Sequence, residues 1–277
     1  MMIVVRITGG LGNQMFQYAF ARALQSRGKK VIAQWHGSRT ILRHWELDAA
    51  FDLPLSKKIT VTNTHSLLNI YAWALRKTSR QREPADMSFN PRFLEINGGY
   101  IDGYWQTEKY FADIAETIRN DFQFKPLSGT ENLRLQTIIA ARPCVSVHVR
   151  RSDYVGHSGL GDICTPDYYR RALGKLNSIY PGCTPIIFSD DIPYCRGLFA
   201  GQEAVYTGWN CGANSWMDMA LMSQCTHHII ANSSFSWWGA WLSSKNNKLT
   251  IAPNRWFTET SESTNRDIYP DQWILIE

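Results

Sequence analysis

Cys144-Val145-Ser146-Val147-His148-Val149-Arg150-Arg151-Ser152-Asp153-Tyr154 reads as a short strand that ends abruptly in charge. Its closely spaced apolar residues are those of a strand covered on both faces. Before it, residues 131–141 have helical periodicity. After it comes a loop through Gly156, Gly159 and Gly161, then Thr165-Pro166, a capping hydroxyl with proline in the first turn of a helix that reaches about Tyr180. The alternation continues, with strands predicted over 185–188, 204–207, 228–231 and 249–252. Between them helices are predicted from Pro193 and over 215–225 and 236–243. Strands alternating with helices of this length predict an α/β fold built on a parallel sheet. Ligands of such sheets lie beyond the carboxyl ends of the strands.

Toward the N-terminus the same logic holds for one unit only. Residues 3–7 are an apolar run leading into Thr8-Gly9-Gly10-Leu11-Gly12-Asn13, and Met15, Phe16, Ala19, Phe20, Ala23 and Leu24 follow at helical spacing. Gly28 marks the helix stop, and 30–35 is the next strand. From 36 to 124 the pattern is mixed, with helical pieces at 66–80 and 108–121 and a glycine and aromatic turn at 98–105. Two domains are expected, 1–130 and 131–277, with no internal repeat.

With 277 residues, 44% of them hydrophobic, the chain can bury a sizeable core. The 29 Lys and Arg against 24 Asp and Glu leave +5, which suits an anionic small molecule or an anionic membrane surface and is too little to argue for nucleic acid. Six cysteines are scattered with no Cys-x-x-Cys pair, as expected of reduced thiols packing in a cytosolic protein. No apolar stretch reaches membrane-spanning length.

Four constellations fall at strand ends. The turn Gly9 to Gln14 offers bare amides and a helix N-terminus to an anion, or is simply a tight turn. As a dinucleotide fingerprint it fails, because Met15 takes the third glycine position and the second strand, ending Ala33-Gln34-Trp35-His36, carries no acid for a ribose. Arg150 and Arg151 are expected to diverge, one as a phosphate fork and the other pairing a carboxylate such as Asp153. Asp190 and Asp191 can accept from ribose hydroxyls or a guanine edge, hold a metal, or cap a helix; no Asp-x-Asp occurs in the chain. Ser233, Ser234, Phe235 and Ser236 open a helix and form a second anion seat, whereas Trp237, Trp238 and Trp241 read as core.

Together these pieces resemble the bacterial alpha-1,2-fucosyltransferases of glycosyltransferase family 11. The matching segments are GGLGNQMFQYA (9–19), GYWQTEKYF (103–111), HVRRSDY (148–154), DMALMS (218–223) and IANSSFSWWGAWL (230–242). The resemblance implies a GT-B-like arrangement of two Rossmann-like lobes, the second holding GDP-fucose and the first supplying most of the acceptor side. It also implies an inverting, metal-independent transfer to the 2-hydroxyl of a terminal galactose, with no cofactor beyond the donor. By the same resemblance Arg150 and Arg151 neutralise the departing diphosphate. His148, Asp190 or Asp191, and Ser233 to Ser236 hold the nucleotide, while Gly10, Gly12 and Gln14 close over the donor and Asn13 reaches the reacting end. Asp153 lies nearest to these motifs, but a carboxylate held by arginine is a poor base. Animal members carry an N-terminal membrane anchor and no such stretch occurs here. The expectation is therefore a bacterial cytoplasmic enzyme, at most peripheral at the inner membrane, acting on a lipid-linked or free oligosaccharide. A transferase of another GDP-sugar or linkage, and a non-catalytic nucleotide-sugar-binding module, are the competing readings.

Overall fold

The computed structural model describes residues 2–35, 45–53, 67–151, 153–258 and 267–277. The expectations touching His36, Ser66 and Ser152 fall outside these residues. The chain divides into two compact units, Met1–Lys125 with Asn265–Ile268 and Pro126–Thr264 with Tyr269–Glu277.

The first unit is built on β1 (Met2–Ile7), α1 (Leu11–Ser26), β2 (Lys30–Trp35), α2 (Leu47–Ala50), α3 (Leu67–Thr78), β3 (Arg80–Arg82), β4 (Gly99–Asp102) and α4 (Ala115–Asp121). Its strands pair in parallel in the order β2-β1-β4-β3. Ile3, Val4, Val5 and Ile7 of β1 are fully buried, as a central strand requires. Two details differ from the sequence expectation. The stretch at 98–105 contains β4, whose Tyr100 and Ile101 are fully buried between β1 and β3 although two glycines precede them. The helix expected over 108–121 breaks into 3₁₀ turns at Glu108–Tyr110 and Ala112–Ile114 before α4. That break lets the consecutive Tyr110 and Phe111 both enter the core, where Phe20 stacks on Trp105 at 4.3 Å.

The second unit contains α5 (Thr130–Ala141), β5 (Cys144–Val149), α6 (Pro166–Ile179), β6 (Thr184–Ser189), α7 (Ile192–Leu198), β7 (Val205–Thr207), α8 (Trp216–Gln224), β8 (His227–Ile229), α9 (Ser234–Leu242), β9 (Thr250–Pro253) and β10 (Ile274–Ile276). The sheet is parallel, in the order β10-β9-β8-β5-β6-β7. All of β5 is buried, so the charged residues that follow it emerge at the carboxyl edge of a central strand. Thr165 caps α6 by accepting from the Tyr168 amide, with Pro166 at the first position. This cap aims two adjacent buried tyrosines at strand ends: Tyr168 donates to the Ile230 carbonyl at 2.6 Å and Tyr169 to the His148 carbonyl at 2.9 Å. Trp237, Trp238 and Trp241 are core, with Trp237 and Trp241 stacked. All six cysteines are unpaired. Among the described residues no helix is long and apolar enough to cross a membrane.

Candidate active site

Arg150 and Arg151 leave the end of β5 in different directions. The Arg150 guanidinium donates through Nε to Asp153 at 2.8 Å and reaches Asp190 Oδ2 at 2.9 Å. Asp190 also accepts the Arg151 backbone amide at 2.9 Å, so one carboxylate joins the ends of β5 and β6. Arg151 instead pairs with Asp191 at 3.1 Å and lies 3.6 Å over the Tyr194 ring. Asp191 caps α7 by accepting from the Tyr194 amide. The sequence reading assigned a carboxylate partner to one arginine, and the structure gives partners to both. Asp153 is the exposed member of the cluster, 55% accessible against 22% for Asp190. It is the partner most easily exchanged, because solvent screens its attraction.

Beside β5, the β8–α9 junction brings small polar groups to the same edge. His148 Nδ1 lies 2.8 Å from the Ser236 hydroxyl, and burial pushes its pKa well below the usual histidine value, so the ring is neutral. Ser233 is the N-cap of α9 without a side-chain capping bond, the first turn holds no acid, and Ser234 and Phe235 are half-buried. Asn232, which the sequence reading passed over, fixes this junction by donating to the carbonyls of Leu160 and Trp256. Tyr154 ties in as well, its hydroxyl donating to the Asn232 carbonyl at 3.1 Å.

A second missed residue is Asp218, which was legible only as part of a matching segment. It lies in the first turn of α8, a helix that enters from the carboxyl edge between β7 and β8. Asn210 donates to it at 2.6 Å and is itself held by Asn132, which also accepts from the Trp209 indole. Burial pushes the Asp218 carboxyl up to about 7.

At the edge of the first unit the expected anion seat is differently furnished. Gly9 adopts φ +83°, a conformation that favours glycine, and a side chain there would meet Asn13. The first amide of α1, that of Leu11, donates to the carboxylate of Glu46 at 3.2 Å. Gln14 is fully buried, donating to the Gly9 carbonyl and accepting from the Glu46 amide, so it holds the turn and does not face a ligand. Asn13 accepts from Gln106 at 2.8 Å, and the amides of Asn13 and Gln14 both return to the Gly10 carbonyl. Gly12 is buried. Nearby, Glu83 accepts from the amides of Tyr104 and Trp105 at 2.6 and 2.9 Å, with Trp105 at φ +58°. Burial raises the Glu83 carboxyl to about 7. Gly103 permits this approach, since a β-carbon there would lie 2.5 Å from that of Glu83. Among the described residues no group of three His, Cys, Asp or Glu side chains is placed to hold a metal.

Residues 2–277 match Glycosyl transferase family 11. The chain belongs to this family. The family 11 protein is 32% identical to an alpha-1,2-colitosyltransferase of Escherichia coli, over 99% of each chain. It is 26% identical to human galactoside alpha-(1,2)-fucosyltransferase 1 over 84% of its own length and 63% of that protein's. The crystal structure of POFUT1 in complex with GDP-fucose superimposes with a TM-score of 0.50 and 14% identity, covering 91% of this chain and 97% of its own. The fold is GT-B-like, and the protein is a glycosyltransferase.

Proposed function

We propose that this glycosyltransferase moves L-fucose from GDP-β-L-fucose, with inversion and without a metal ion, to the 2-hydroxyl of a terminal β-galactoside. The observation that carries the reading is Arg150, held between Asp153 and Asp190 at the end of β5, beside the acid-free first turn of α9. The reading is supported by the alpha-1,2 linkage in the names of both relatives and the galactoside in one of them.

In this proposal the second unit takes the donor and the first the acceptor. Negative charge builds on the leaving diphosphate as the glycosidic bond opens. A fixed guanidinium and a helix N-terminus lower that barrier without reorganising, which makes a metal ion unnecessary. Arg150 exchanges Asp153 for phosphate oxygens, keeping Asp190 as its anchor, while Arg151 stays pinned to Asp191 and Tyr194 and orients the loop. His148, neutral and tied to Ser236, keeps the seat free of a competing cation. Among the carboxylates at this edge, Asp218 is engaged by an amide where Asp190 and Asp191 are engaged by arginines. It is the acceptor we assign to the donor edge of guanine. The acceptor substrate is a galactose-terminated oligosaccharide, lipid-linked or free.

The relative that transfers colitose favours a second reading, with GDP-colitose as donor. Colitose lacks one hydroxyl of fucose, so the two donors test the sugar site directly. Labelled GDP-fucose and GDP-colitose are each supplied with lactose or N-acetyllactosamine, with and without excess EDTA, and the product linkage is determined. An EDTA-insensitive alpha-1,2-fucosyl product supports the proposal; transfer from GDP-colitose alone moves it to the second reading. Loss of transfer in EDTA overturns metal independence.

A further inference from the structure

We propose that the outer face of α3 is a docking surface for an anionic lipid bilayer. The helix is two-sided. Ala72, Tyr71 and Leu75 pack toward Val4 and Tyr100 of the first sheet. On the other side Ile70 and Trp73 are 64% and 62% exposed, and Lys77 follows at the next helical step, so all three share one face. Isolated surface apolar residues need no explanation. A tryptophan and an isoleucine one turn apart, on a helix whose last-turn cations have no ion pair among the described residues, do.

Residues 67–82 contain Arg76, Lys77, Arg80 and Arg82 and neither Asp nor Glu. Arg80 is engaged by Asp102, whereas Arg76, Lys77 and Arg82 have no ion pair among the described residues. Exposed Trp and Ile above a rim of Arg and Lys is the composition of a helix lying in the headgroup region of an acidic membrane. A protein partner for the same face would have to supply both an apolar groove and a ring of acids; the bilayer offers both without specific design. The location adds a reason. α3 runs into the parallel strand β3, so its N-terminal half points to the carboxyl edge of the first sheet, where Glu83 and the Gly103 to Gln106 loop lie. Seating that face on a membrane brings a lipid-anchored acceptor to the edge that the proposed function assigns to it. That consequence rests on the proposed function, but the docking does not.

The test is flotation of the full chain with vesicles of phosphatidylcholine alone or mixed with phosphatidylglycerol. Flotation with the anionic vesicles is expected, at least about tenfold weaker with the neutral ones and lost in about 1 M salt, where the Debye length is about 3 Å. The double variants Ile70→Ser/Trp73→Ser and Arg76→Glu/Lys77→Glu should each reduce binding about tenfold. Both should keep the melting temperature and the transfer rate to a soluble acceptor. Wild-type protein that ignores both vesicle types overturns the proposal. So do variants that float as well as wild type, or a concentration-dependent dimer abolished by the same substitutions. The vesicle measurement needs no donor, so an error in the sugar assignment shows only in the transfer rates.

Discussion

Two strand-to-helix junctions in this molecule have the same architecture and differ in what meets the helix start. The β1–α1 turn opens with glycines and the β8–α9 turn with serines, and both present a helix N-terminus at the carboxyl edge of a parallel sheet. At α1 the protein's own Glu46 occupies the first amide, and Gln14 fixes the turn from inside. At α9, as at α1, the helix itself contributes no acid to its first turn, and the adjoining groups are a neutral histidine, serines and an arginine edge. A helix start is therefore an anion site only where the fold does not supply the anion itself. That criterion is why the proposed function assigns the donor's diphosphate to the second unit.

The comparison breaks most visibly at Arg150. Arg150→Ala should lower kcat for transfer by about 10²–10³-fold with folding intact, whereas Asn13→Ala in the first unit should cost less. Equal losses would mean that both edges stabilise the leaving group. Asp218 offers the next largest effect. Its carboxyl is raised on folding from the ordinary 3.8 to about 7, so the folded state holds that proton more tightly than the unfolded chain does. Ionising it therefore opposes folding increasingly as pH climbs from about 4 to 7. Relative to wild type, Asp218→Asn should gain on the order of 4 kcal/mol across that window, read from denaturation midpoints at its two ends. A constant difference would remove Asp218 as a buried acid.

The two junctions can also be exchanged in charge. Ser234→Asp places a carboxylate in the first turn of α9 and should weaken GDP binding by about 1–2 kcal/mol, roughly five- to thirtyfold in Kd, while the protein melts no lower. Glu46→Gln should leave GDP binding unchanged and cost about 0.5–1 kcal/mol of stability. The reverse pattern in calorimetry would assign the nucleotide to the first unit. The smallest expected change is at Asp153. Releasing Arg150 from an exposed partner is worth about 0–1 kcal/mol, so Asp153→Asn should tighten GDP binding by up to about fivefold. A loss of binding would make Asp153 an orienting group instead of a placeholder.

What could be read from sequence follows from how local the signals are. β5, β6 and α6 were legible because apolar runs, Thr165 and Pro166 sit within a few residues of the elements that they define. β4 was not, because its burial comes from β1 and β3, and no run of β-branched residues announces it. Arg150 and Arg151 were found as a pair, yet their partners Asp190 and Asp191 lie about 40 positions away and meet them only through the β5–β6 register. Glu46 reaches α1 across 35 residues, and Asp218 depends on Asn132 from another helix. Neither contact leaves a trace in local spacing, and both decide what the edges can bind.

The adjacent hydroxyls of Tyr168 and Tyr169 have a kinetic corollary. By fastening the ends of β8 and β5 to one helix, they fix the spacing of the arginine strand and the serine turn, so the donor of the proposed reaction would meet a preformed edge. A seat that need not be assembled admits its guest at a rate set by encounter and ionic strength. Competing donors should then differ chiefly in how long each stays.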